Sequence, residues 1–194
     1  MKISQLIKLS SRLFFVKAKP EEFPESLSLL LTLLLLSFIA QSAVDALTLN
    51  VVSVFFTEEE FMELIVDHSA IKSMFMIIFG LFFTLAFMQL ALAQFKFSRR
   101  LVQASISLLV VQIYLMVLSL VFFLLTYPVQ NVAIEAYAVL WCMFLLASFI
   151  WSFRMFVYIF AQSFSSSIFH AVLGVLLYSI LQGWLSQVVV NLVF

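Results

Sequence analysis

The chain has 194 residues, of which 65% are hydrophobic and 10% charged, with ten Lys plus Arg balancing ten Asp plus Glu. A soluble domain is nearer half apolar and a quarter charged, so this composition excludes a water-soluble fold. With 24 Phe against three Gly and three Pro, it also excludes a disordered or collagen-like chain, and zero net charge gives nucleic acid no general attraction.

What remains is an all-α polytopic membrane protein, and its elements can be taken in chain order. Residues 3–16 place Ile3, Leu6, Ile7, Leu13 and Phe14 near one helical face, with Lys2, Gln5, Lys8, Ser11 and Arg12 on the other. A basic polar face of this kind suits a helix lying in the membrane interface, the alternative being that it packs on the protein's own bundle. Lys2, Lys8, Arg12, Lys17 and Lys19 are the candidate membrane-surface contacts. The segment KPEEFPES then turns the chain into the first span.

A crossing helix needs roughly 20 apolar residues, and five stretches qualify: about 27–49, 71–94, 101–127, 132–160 and 169–190. The runs are continuously apolar, as in LSLLLTLLLLSFIA, which excludes the alternating pattern of a membrane barrel. The first is expected to be a retained anchor rather than a cleaved leader, because the 26 residues ahead of it carry acids and prolines. Tyr127-Pro128 is expected to close the third span, leaving all three prolines outside helix interiors. The organisation is thus a segment 1–26 followed by a five-helix domain, 27–194.

Between the first two spans, Thr57 and Glu60 match a capping box and predict an acidic external helix at 58–68. Glu60, Glu63 and Asp67 share one face, with His68 adjacent. They are the candidate metal ligands, but one helix face supplies few oxygens, so a solvated acidic face is preferred and no metal site is assigned.

Orientation follows from Lys and Arg. The N-terminal segment holds five, the 95–100 loop holds Lys96, Arg99 and Arg100, and Arg154 lies toward the same side, leaving Lys72 opposite. The expected topology has a cytoplasmic N-terminus and a C-terminus on the far, periplasmic side.

Inside the spans, Gln41 and Asp45 form a polar strip four residues apart. It either lines an external cavity or bonds another helix, and interhelical bonding is preferred. Gln112 and Gln182 are the more interior amides. Ser148-x-x-x-Ser152 and Ser179-x-x-x-Gly183 have the spacing that permits close helix packing. Cys142 reads as a small apolar filler. Ser165 to Ser167 with His170 form a Ser/His neighbourhood without a carboxylate to orient the imidazole. No metal-hydrolase, phosphate-loop or CxxC motif occurs, so neither a catalytic role nor a cofactor is assigned.

Five spans, a cytoplasmic N-terminus, tight loops and the basic, proline-marked approach RLFFVKAKPEEFPESLSLLL together resemble the Yip family, the Ypt/Rab-interacting membrane proteins and their bacterial relatives. The family's Asp-Leu-Tyr-Gly-Pro motif and later Gly-Tyr are missing, so no functional residue carries over. The resemblance implies a protein of a bacterial inner membrane, without the long cytosolic extension of eukaryotic members. The expected function is non-enzymatic: a scaffold, assembly or membrane-organising factor whose partners are the lipid bilayer and other membrane proteins or a second copy. The alternative is a small transporter or channel subunit using Gln41 and Asp45.

Overall fold

A computed structural model describes residues 3–52, 70–94, 100–130 and 134–193. These form six α-helices and one short 3-10 turn, with no strand among the described residues. In chain order they are α1 (Ile3–Phe14), the 3-10 turn (Pro20–Glu22), α2 (Leu27–Val52), α3 (Ala70–Gln94), α4 (Leu101–Gln130), α5 (Ile134–Ser163) and α6 (Ile168–Val193). Helices α2 to α6 are each long and apolar enough to cross a membrane. Lys2 and the 58–68 segment with Glu60, Glu63 and Asp67 lie outside the described residues.

The helix ends follow from local chemistry. Ser26 caps α2, its hydroxyl accepting from the Leu29 amide at 3.3 Å. Ser167 caps α6, accepting from the His170 amide at 3.4 Å. Two helices stop through a left-handed residue that is not glycine: Val16 (φ 60°) after α1 and Ser165 (φ 49°) after α5. Each brings the following amide back onto the last turn, Lys17 to the Arg12 carbonyl at 2.7 Å and Ser166 to the Ala161 carbonyl at 3.0 Å. For the β-branched Val16 this conformation is strained. Pro128 does not close α4, which runs on to Gln130. A proline in the last turn removes one backbone bond, to a carbonyl four residues back, and leaves too few residues beyond it for the loss to unwind the end.

Helix α4 is the axis of the bundle, packing against α1, α2, α3, α5 and the 3-10 turn, while α6 lies against α3 and α5. The core occupies one end. Leu9, Leu13, Ala18 and Phe23 of the N-terminal segment meet Leu30 and Leu33 of α2, Met88 and Leu92 of α3, and residues 104–111 of α4. Met155, Ile159 and Phe160 of α5 and Ala171 and Val175 of α6 complete it. This is the near end, where α2, α4 and α6 begin and α3 and α5 finish. The other half is loosely built: α5 has no buried residue between Tyr137 and Met155. There α4 and α5 are joined by rings, with Phe122 stacked on Phe144 at 4.2 Å and edge-on to Trp141 at 5.1 Å.

Several hydroxyls within the spans bond backwards into their own helices, as Ser42 does to Phe38, Thr84 to Gly80 and Ser119 to Leu115. In hydrocarbon, where water supplies no partner, this is the cheapest satisfaction for an isolated hydroxyl. Close helix approach occurs at Gly174, where an added Cβ would stand 3.4 Å from the Phe160 ring, and at Gly80, 3.4 Å from the Gln182 amide nitrogen. It does not occur at Gly183, around which an added Cβ meets nothing within 4 Å among the described residues. The Ser179/Gly183 spacing therefore lies on an open face. Cys142 is likewise exposed instead of filling a gap.

Candidate functional site

The near end brings together polar side chains that lie far apart in the sequence. In the linker, Pro20 starts the 3-10 turn and Glu22 reaches back, its Oε1 accepting from the Lys19 amide at 2.9 Å. The other oxygen, Oε2, accepts from Arg12 Nη1 at 3.1 Å. Arg12 Nη2 also donates to the Lys17 carbonyl at 3.0 Å, so one guanidinium ties α1 to the linker that follows it.

The linker is in turn bound to the bundle. Arg100 pairs with Glu21 at 2.8 Å and donates to Ser165 Oγ at 3.0 Å, joining the linker, the start of α4 and the end of α5. Gln103 donates to the carbonyls of Glu21 at 3.0 Å and Phe23 at 2.9 Å. The Tyr158 hydroxyl donates to the Ala18 carbonyl at 3.1 Å. Between these anchors the linker buries Ala18, Pro20 and Phe23. Loops seldom bury backbone, and here the carbonyls so enclosed are met by Gln103 and Tyr158.

Helix α1 divides its apolar surface in two. Leu9, Ser10 and Leu13 are buried on the bundle with Leu6 beside them, while Ile7 (58% exposed) and Phe15 (67% exposed) face outward. The buried stripe is thus turned from the expected one, taking in Leu9 and leaving out Ile7. The apolar arc is wide enough to serve both the bundle and a second apolar medium. Phe14 sits against Trp151 at 4.3 Å and Tyr114 at 5.4 Å. Lys8, Lys17 and Lys19 are exposed, whereas Arg12 is engaged by Glu22.

The polar strip inside the membrane is a separate arrangement. Gln41 Nε2 donates to Asp45 Oδ1 at 2.9 Å along α2, a bond within one helix and not between two. The interhelical polar contact instead joins α3 and α6, where the hydroxyls of Thr84 and Tyr178 lie 2.7 Å apart. Tyr178 is enclosed by Phe83, Phe87 and Phe160. Sequence reading missed this pair because Thr and Tyr within an apolar run read as ordinary span residues. The Ser/His neighbourhood resolves to Ser167 Oγ at 2.7 Å from His170 Nδ1, both exposed in the first turn of α6, where the hydroxyl also serves as the cap.

Fold and site together define an all-α polytopic membrane bundle with an N-terminal segment bound to one end. Compared with known protein families, curated protein sequences and solved structures, the chain matches none.

Proposed function

We propose that the chain is a non-catalytic integral membrane protein that acts through protein or lipid interaction, as a scaffold, assembly or membrane-organising factor of Yip-like character. The observation that carries this reading is the held posture of the basic N-terminal segment. Arg100, Gln103 and Tyr158 hold it on the bundle, Arg12 ties α1 to the linker, and Lys8, Lys17 and Lys19 are left facing outward. A segment fixed in one register presents its cations in a constant pattern, which lowers the ordering cost of binding a partner. The reading carries with it a cytoplasmic near end by the positive-inside rule, a periplasmic far end, and residence in a bacterial inner membrane.

Deleting α1 would remove Leu9 and Leu13 from the core, so point probes are the better test. A photo-crosslinking amino acid is placed singly at Lys8, at Lys17 and, as control, at Leu146, which is exposed on α5. In native membranes the two near-end probes are expected to capture a defined set of membrane proteins, or a second copy of the chain, that the control does not. Identical captures at all three positions would remove the case for the N-terminal segment as the interacting surface.

A further inference from the structure

We propose that Lys17, Lys19 and Arg154 form a binding site for the phosphate of an anionic phospholipid headgroup, with Lys8 at its edge. The site lies where the N-terminal segment meets α5. It rests on the lipid half of the function proposed above and names the ligand and the residues.

Arg154 is the first line of the argument. Charged side chains within spans ordinarily face the bundle interior or a water-filled cavity, yet Arg154 is exposed on α5. The other exposed charge of that helix is Glu135. Between the two lie about 18 residues without a charge, or about 27 Å at the helical rise, close to the roughly 30 Å hydrocarbon thickness of a bilayer. The exposed members of that stretch include Val139, Met143, Leu146 and Ile150, which suit acyl chains. Arg154 therefore stands where hydrocarbon gives way to headgroups, and a snorkelling guanidinium there meets phosphate first.

Geometry supplies the second line. Trp151, Arg154 and Tyr158, at spacings of three and four, share one side of α5. Trp151 touches Phe14 and Tyr158 holds the Ala18 carbonyl, so Arg154 lies between the two points where α5 grips the N-terminal segment. Lys17 and Lys19 flank Ala18 in the chain, and the residue that holds Ala18, Tyr158, is four positions on from Arg154 along α5.

The third line is charge. Glu21 and Glu22 are taken by Arg100 and Arg12. Lys8, Lys17, Lys19 and Arg154 enter no ion pair among the described residues, and Glu25, after Pro24, is the remaining exposed acid of the segment. The junction thus keeps a local surplus of positive charge.

A lipid phosphate fits better than a soluble anion, because Phe149, Ile150, Ile7 and Phe15 around the junction are exposed and apolar.

The test uses the purified full chain in a neutral detergent, with retained lipid read by native mass spectrometry. The probes are phosphatidylglycerol, phosphatidylcholine and inorganic phosphate. Phosphatidylglycerol is expected to be retained in preference to phosphatidylcholine and not displaced by inorganic phosphate. Arg154→Gln and the pair Lys17→Gln/Lys19→Gln are expected to weaken retention by about fivefold per cation removed. Lys72→Gln removes the same charge elsewhere and is expected to leave retention unchanged. Arg154→Lys keeps the charge and guards against a folding artefact, since it should retain most of the binding. Equal retention by wild type and the combined variant Lys17→Gln/Lys19→Gln/Arg154→Gln would overturn the proposal, as would equal retention of the two lipids or ready displacement by inorganic phosphate. Crosslinking from Lys8 reads protein partners independently, so failure here leaves the protein-interaction reading standing.

Discussion

Tyr158 and Ala18 are 140 positions apart in the chain, and the hydroxyl of one donates to the carbonyl of the other at 3.1 Å. This bond locks the linker after α1 onto the last turns of α5. In Tyr158→Phe the ring stays and the donor goes, at a cost of about 1 kcal/mol. The expected result is faster hydrogen exchange across residues 14–23 with the spans unchanged, and a melting midpoint lowered by about 2–4 °C. Exchange that does not differ from wild type would show that the bond does not hold the segment.

Two ion pairs bind the same linker, but they differ in surroundings. Arg100 and Glu21 side chains are 29% and 46% exposed and Arg100 also bonds Ser165, while Arg12 and Glu22 are 47% and 37% exposed. Double-mutant cycles to Gln should give the larger coupling for Arg100/Glu21, about 0.5–1 kcal/mol, with both couplings shrinking at high salt. Thermal unfolding in detergent at two salt concentrations measures this. A larger value for Arg12/Glu22 would contradict the ranking.

Tyr178 separates packing from hydrogen bonding in the interior. In Tyr178→Phe the Thr84 hydroxyl keeps its bond to the Gly80 carbonyl, so the loss should stay near the roughly 0.6 kcal/mol typical between membrane helices. In Tyr178→Ala the rings of Phe83, Phe87 and Phe160 face a cavity, and the loss should reach about 3–5 kcal/mol. Steric-trapping or denaturant unfolding of the two variants provides the comparison. Similar losses would mean that the hydroxyl pair, and not the aromatic packing, dominates.

The glycines make a paired prediction. Gly174→Leu drives a side chain into the Phe160 ring and should destabilise by about 1–3 kcal/mol, whereas Gly183→Leu enters open space and should be near neutral. Equal destabilisation would show that the Gly183 face is covered in the membrane, as by a second copy.

The transport alternative has a direct test at Asp45. Its bond from Gln41 stays within α2, and an asparagine oxygen at position 45 can accept the same bond. Asp45→Asn should therefore leave the melting temperature unchanged, and proteoliposomes of wild type and variant should show equal background fluxes. Robust solute flux abolished by the substitution would replace the interaction reading with a transporter.

Hydropathy made the five long apolar helices legible, because crossing length is set by bilayer thickness. Pro128 was read too strongly, since a proline in a last turn shortens a helix less than one in its interior. The docking of α1 was not legible. Its apolar arc fits lipid and bundle equally, and the choice is made by Tyr158, Arg100 and Gln103, which lie 79 or more positions away in sequence from the carbonyls or acids they meet. Pairings at such separation leave no local pattern. Gln41 and Asp45 share a face of α2 and bond along it, and spacing alone does not tell a bond along one helix from a bond between two.

The one-ended core has a consequence for biogenesis. Its walls come from every helix, α1 through α6, and α6 contributes Ala171 and Val175, with Gly174 close to the Phe160 ring. No subset of earlier spans can close it, so during synthesis α2 to α5 enter the membrane before the core is complete. A nascent chain released before α6 would carry Phe87 and Phe160 uncovered at the near end. That makes it a ready substrate for membrane quality control.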